Sequence, residues 1–382
     1  MDVVEMGVSV MRPYVEACMP DSVLMEVISE TLNFPIPLKK INDAIYSLEL
    51  FHGPTLAFKD VGARFMSQCL AYFMQNESNK VTVLVATSGD TGGAVANGFF
   101  EVPGIDVVIL YPKGRVSRVQ EQQLTTLGKN IKAIEVEGNF DDCQLMVKQA
   151  FLDKDIKKVK KLNSANSINV ARWLPQQLYY FMAYRQWREE VAPVVCVPSG
   201  NFGNICAGLL AKVSGLPLGH FIAACNVNDV LSNYFQTGKL MPKSTVATLS
   251  NAMDVGNPSN IDRVFELFQN QFESIRNNIS AASITDALIL ETIKYVYAQN
   301  DYLLDPHGAV AFKALEDYLE HQPHQKGFFI ETAHPIKFPD AVRQAIDLEL
   351  DLPPSLKELM KKEKNAICIP NNYTIFKELL LS

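Results

Sequence analysis

Residues 81–100 read Val-Thr-Val-Leu-Val-Ala-Thr-Ser-Gly-Asp-Thr-Gly-Gly-Ala-Val-Ala-Asn-Gly-Phe-Phe. The first six are β-branched or apolar without alternation, as in a strand covered on both faces. A Gly/Ser/Thr turn follows at Thr87–Gly93, and then a helix. The unit repeats outward from here. Further apolar runs stand at Val107–Tyr111, Ile131–Val136, Val194–Val197, Phe221–Cys225 and Gly327–Glu331. Stretches of helical period lie at Gly92–Phe100, Gln120–Leu127, Asp141–Leu152, Asn169–Glu190, Gly203–Val213, Ile284–Gln299 and Ala309–Glu320. Strands alternating with helices predict an α/β fold with mainly parallel sheets.

At ~150 residues per domain, 382 residues suggest two domains. The expected division is an N-terminal helical segment over 1–45, a small α/β domain over 80–180, and a large discontinuous α/β domain over 46–79 and 181–382. The charged tail after Lys357 reads as a solvated helix. Hydrophobic residues make up 48% and charged residues 20%, which excludes disorder for the bulk. The net charge of −7 argues against a general nucleic-acid binder. No stretch approaches the ~20 apolar residues of a membrane span. The seven cysteines are scattered and form no CxxC pair, and there is no HExxH. Neither a disulfide framework nor a metal site is expected. A soluble protein of a reducing, cytoplasmic compartment is the simplest reading. Nothing in the residues sets the oligomeric state.

Four segments carry chemistry. In Phe51-His52-Gly53-Pro54-Thr55-Leu56-Ala57-Phe58-Lys59-Asp60, a turn leads into a helix beginning near Ala57. A lysine in that first turn meets partial positive charge and apolar neighbours, and both favour a neutral, nucleophilic amine. That suits a Schiff-base lysine. The same residues also describe a surface lysine beside Asp60. Thr87–Gly93 puts hydroxyls and backbone N–H groups at a sheet's carboxyl edge, a place for a small anion or simply a capped turn. Pro198-Ser199-Gly200-Asn201-Phe202-Gly203-Asn204 lies again between strand and helix, and reads as a phosphate cradle or a tight turn. It lacks the spacing of a dinucleotide loop. Asn163–Arg172 holds three asparagines, two serines and one arginine ahead of a helix. Arg172 can take a phosphate bidentately, while asparagine and serine also cap helices. Together, one odd lysine, two phosphate-type loops and a separate anion cluster fit pyridoxal phosphate acting on a phosphorylated amino acid.

The chain resembles the threonine synthase family, bacterial and fungal branch. The resemblance rests on Leu48–Asp60, Ala86–Gly92, Leu110–Gly114, Asn163–Asn169, Pro198–Gly203, Thr248–Asp254 and Thr332–Phe338, in that order. It implies a fold-type II, tryptophan-synthase-β-like enzyme with pyridoxal 5'-phosphate in the cleft between two open α/β domains. It implies conversion of O-phospho-L-homoserine and water to L-threonine and phosphate. By motif match, Lys59 would carry the cofactor. Gly200, Asn201, Phe202, Gly203 and Asn204 would hold its phosphate. Thr332 would hydrogen-bond the pyridine nitrogen, with Asp90 near the ring hydroxyl. Ser88, Gly89 and Thr91 would take the substrate carboxylate, and Asn166, Ser167 and Arg172 the substrate phosphate. Ser250–Asp254 receive no role. Members of that family usually carry a further segment ahead of the helix that opens this chain. A lyase releasing 2-oxobutyrate from the same substrate, or a homologue that binds the cofactor without turnover, would use the same residues.

Overall fold

Apolar runs covered on both faces become the parallel strands of two sheets. The computed structural model describes residues 2–77 and 79–382. Its strands are β1 (Leu38–Lys40), β2 (Ile45–Glu49), β3 (Val81–Ala86), β4 (Ile105–Pro112), β5 (Ile131–Glu137), β6 (Lys161–Ser164), β7 (Val194–Pro198), β8 (Phe221–Cys225), β9 (Ile279–Ser283), β10 (Gly327–Glu331) and β11 (Ala366–Pro370). One sheet has the order β1-β2-β10-β7-β8-β9, the other β11-β5-β4-β3-β6. Every pairing is parallel except β1 with β2. The α/β class with mainly parallel sheets is as expected.

The chain divides into two compact units. One is Met1–Pro13, Phe34–Phe58 and Trp173–Asp351; the other is Tyr14–Asn33, Lys59–Arg172 and Leu352–Ser382. The sequence reading instead set the helix after Lys59, and the tail, with the larger domain. In the first unit, helix Pro306–Glu320 lies against the sheet and buries Val310, Phe312 and Leu315 beside Val194, Ile222 and Phe329. In the second, β3, β4 and β5 are sandwiched between two apolar clusters. Helix Asp90–Gly98 supplies Ala94 and Val95 on one face, and helix Phe140–Leu152 supplies Cys143 and Met146 on the other.

Three expectations need correction. Residues 1–45 are helical only over Val3–Val15 and Asp21–Thr31; Pro35 and Pro37 then forbid a helix, and a β-hairpin begins at β1. The stretch 169–190 breaks into Val170–Trp173, a 3-10 turn Leu174–Gln176 and Gln177–Gln186, because Pro175 lacks the N–H a continuous helix needs. The tail is a solvated helix only at its charged start, where helix Pro354–Leu359 runs into exposed residues up to Lys364; beyond that it is built into the fold. β11 extends the second sheet beside β5, and helix Tyr373–Leu381 buries Phe376 and Leu380. Among the described residues no helix is long and apolar enough to cross a membrane.

Candidate active site

The lysine segment is tied down on one side before it reaches Lys59. The Phe58 N–H donates to the Thr332 carbonyl at 2.8 Å, and the His334 N–H donates to the Leu56 carbonyl at 3.1 Å. A short antiparallel bridge joins Ala57 to Ala333 between them. The Lys337 ammonium donates to the Thr55 carbonyl at 2.8 Å, and the Tyr179 hydroxyl donates to the Phe58 carbonyl. Leu56 takes φ +57°, a left-handed conformation that turns the chain into its helix. That helix, Lys59–Met74, starts at Lys59 itself, so the lysine occupies the first turn as expected. Asp60 behind it is buried.

In the second unit, the turn after β3 is organised by Thr87. Its Oγ1 accepts the N–H groups of Gly89 at 2.9 Å and Gly92 at 2.8 Å. Gly89 has φ +134°, and a Cβ there would meet the Gln120 side chain at 2.5 Å. The Gln120 amide donates to Asp90 Oδ1 at 2.8 Å, and Asp90 is buried. Ser88 and Thr91 flank it, half-buried.

The Asn/Ser/Arg segment follows β6, the neighbour of β3, so both loops leave the same sheet edge. Asn166 binds the end of β3 with its side chain. Its Oδ1 accepts the Ala86 N–H at 3.1 Å and its Nδ2 donates to the Ala86 carbonyl at 2.7 Å. Asn166 is therefore a splint between the two loops. Ser167 is half-buried. Arg172 is buried, and its guanidinium donates to the Ala165 carbonyl. The Arg172 carbonyl lies 2.1 Å from where a Gly62 Cβ would stand, so this segment packs directly on the first turns of the Lys59 helix. Lys59, Ser88–Thr91 and Asn166–Arg172 thus gather in one unit.

The remaining two groups gather in the other. The 199–204 loop follows β7 and Thr332 follows β10, which are neighbouring parallel strands. A Cβ on Gly200 would fall 2.6 Å from Met253 Cα, so the backbone there can be only glycine without the turn moving. Phe202 takes φ +60°, and helix Gly203–Val213 begins directly after it. The first N–H groups of a helix have no carbonyl partner within it. The asparagine side chains face elsewhere. Asn201 Oδ1 accepts the Ser259 N–H at 2.6 Å, and the Asn204 amide donates to the Pro198 carbonyl at 2.8 Å. What the loop offers an anion is backbone N–H from a close approach, the donor set a phosphate fits.

Sequence reasoning missed the supports of this edge. Asp254 accepts from Thr248 Oγ1 at 2.6 Å, the Thr248 N–H at 3.0 Å, Asn226 at 2.9 Å and Asn228 at 3.2 Å. Burial pushes its carboxyl up to about 6, against those hydrogen bonds, which lower it. Glu331 and Asp305 are buried beside each other; burial first, and then Asp305, raise the Glu331 carboxyl well above the usual range. His307 stands next to them. Asp305-Pro306-His307 did carry a signal, an Asp N-cap followed by proline at the first helical position, but the helix was expected only from Ala309.

The family described as pyridoxal-phosphate dependent enzyme matches residues 31–330, and the threonine synthase C-terminal family matches residues 308–379. The chain is similar to a threonine synthase of Haemophilus influenzae, 45% identical, with 92% of this chain and 82% of the relative covered. A crystal structure of threonine synthase from Escherichia coli superposes with a TM-score of 0.94 at 42% identity, covering 100% of this chain and 88% of that one. A PLP-bound threonine synthase from Brucella melitensis does so with a TM-score of 0.91 at 35% identity, covering 99% and 88%.

Proposed function

The chain belongs to the pyridoxal-phosphate dependent enzymes and, within them, to the threonine synthase family, and we propose how its own residues divide the work. The reaction converts O-phospho-L-homoserine and water to L-threonine and phosphate. One observation carries the division of labour. The Phe58 N–H, on the residue before the proposed attachment lysine, donates to the carbonyl of Thr332, the residue proposed to meet the ring nitrogen.

Pyridoxal phosphate, when bound, supplies a conjugated ring that takes up the electron pair left when a substrate C–H bond breaks. Lys59 Nζ would attach the cofactor and, as a free amine, would remove and return substrate protons. The N–H groups of Gly200, Asn201, Phe202, Gly203 and Asn204 hold the cofactor phosphate. Thr332 meets the ring nitrogen with a neutral hydroxyl, and so supplies no full proton to it. Asp90, held by Gln120, would face the ring hydroxyl. Ser88, Gly89 and Thr91 bind the substrate carboxylate at the turn that Thr87 shapes. Ser167 and Arg172 bind the substrate phosphate, and Asn166 fixes their loop to β3. Arg172 offsets the negative charge that grows as phosphate leaves.

Product analysis with O-phosphohomoserine tests the reading. Threonine and inorganic phosphate are expected in equal amounts; 2-oxobutyrate would make the protein a phosphate lyase, and no product a binding protein. Borohydride reduction is expected to fix the cofactor on Lys59, and recovery on another lysine would refute that role. We also propose the cytoplasm as its compartment, because the seven cysteines are scattered without a CxxC pair and five of them are buried as ordinary core residues.

A further inference from the structure

A buried hydrogen-bonded chain connects the two loops of the first unit that are assigned to the cofactor. Its first link is Glu331, the residue before Thr332, whose Oε1 accepts the Asp305 N–H at 2.8 Å. Asp305 caps helix Pro306–Glu320, accepting the N–H groups of His307 at 2.8 Å and Gly308 at 3.2 Å. Its Oδ1 also pairs with His307 Nδ1. Across the imidazole, Nε2 accepts the Ala252 N–H at 3.2 Å. Ala252 belongs to the turn Asn251–Met253, and Met253 is the residue that packs on Gly200. The side chains of this chain are out of water: Glu331 and Asp305 are 0% exposed and His307 2%. Phe338 meets the imidazole edge-on at 4.9 Å and fixes its plane.

The geometry settles the tautomer. A backbone N–H can only donate, so His307 Nε2 presents its lone pair to Ala252. The proton then sits on Nδ1, where Asp305 accepts it. Each nitrogen of a neutral imidazole thereby serves a different neighbour, Nδ1 the helix cap that meets Glu331 and Nε2 the turn that packs on Gly200. Gly308 belongs to the same arrangement. A Cβ there would come within 1.7 Å of Glu331 Oε2, so glycine lets the carboxyl and the helix start share the space.

We propose that His307 is a positioning residue that holds the Thr332 strand end and the Gly200–Asn204 loop in fixed relation, one ring nitrogen serving each. The inference rests on the assignment of Thr332 to the ring nitrogen and of the 200–204 loop to the cofactor phosphate. His307 acts through these two loops and does not contribute to bond breaking.

Two conservative variants separate its two bonds. His307→Asn keeps a donor for Asp305 and loses the acceptor for Ala252. His307→Gln can keep a carbonyl near Ala252 and loses the donor to Asp305. In equilibrium dialysis with pyridoxal phosphate, the Asn variant is expected to bind about 2- to 10-fold more weakly, the effect of one neutral hydrogen bond. The visible band of its bound cofactor should stay in place. The Gln variant is expected to show the converse, an unchanged affinity with a displaced band. Nitrogen-15 spectra of the purified wild-type protein should show His307 as the Nδ1–H tautomer, a readout that needs neither a folded variant nor turnover. An Nε2–H or doubly protonated ring would overturn the proposal, as would variants that change only the melting temperature. A wild-type protein that binds no pyridoxal phosphate would instead overturn the assignment of the two loops.

Discussion

Arg172 has two duties at the scale of one side chain, and they can be measured apart. Its guanidinium holds the Ala165 carbonyl, and its backbone carbonyl lies against Gly62. Losing a charge-assisted hydrogen bond to the substrate phosphate costs about 1.5–3 kcal/mol, or about 10- to 150-fold. The phosphate is both binding handle and leaving group, so Arg172→Ala is expected to raise KM and lower kcat together. Retention of cofactor should be unchanged, because the cofactor phosphate is assigned to the 200–204 loop. A melting temperature that falls while kcat/KM holds would reduce Arg172 to a strut for Ala165. The sequence offered the phosphate duty alone; the contacts with Ala165 and Gly62 join residues whose proximity no local spacing announces. That Asn166 is a splint could not be read, because an amide's partners depend on which strand end lies beside it.

Loops and turns carry the next level of the argument. Gly200→Ala forces the Asn251–Met253 turn to move by removing the space its Met253 backbone occupies. It is expected to cut cofactor retention, read by absorbance after gel filtration, more than it lowers the melting temperature. Full retention would mean that the loop does not hold the phosphate. The same turn is set by Asp254, and here pH becomes informative. The folded carboxyl is raised to about 6 from 3.8, so the folded state takes up the proton more readily. The stabilising contribution is then complete below about pH 4 and is lost as pH rises through 6. Relative to Asp254→Asn, wild-type stability should decline across that window, by at most about 3 kcal/mol. A constant difference would show that Asp254 does not titrate there. The motif Thr248–Asp254 was visible in the sequence and its job was not. Its partners Asn226, Asn228 and His307 arrive from other elements, and no local spacing announces them.

For the whole molecule, legibility followed hydrophobic continuity. The strands β3, β4, β5, β7, β8 and β10 are apolar runs and were evident; β6 (Lys-Leu-Asn-Ser) and β9 (Ile-Ser-Ala-Ala-Ser), with one bulky apolar residue each, were not, nor were β1, β2 and β11, which lie in or beside stretches read as helical. The end of the tail was missed because charges cluster at its start, Lys357–Lys364, although beyond them one face of its last helix is apolar. Phe376 is fully buried there against the cluster that includes Cys143, Met146, Val147 and Ile156. The charges beside it are rim contacts: Lys377 reaches Asp153 at 2.8 Å and Asp155 at 2.9 Å. Ion pairs at a partly exposed rim contribute about 1 kcal/mol, whereas truncating a buried phenylalanine costs about 3–5 kcal/mol. Phe376→Ala is therefore expected to lower the unfolding free energy by several-fold more than Lys377→Ala, measured by urea titration at moderate salt. The tail closes one face of the unit that carries Lys59 and Arg172. A destabilised tail should accordingly lower the temperature at which turnover is lost, without changing kcat at low temperature. Equal, small effects of the two substitutions would return the tail to a solvated surface helix and detach it from the stability of that unit.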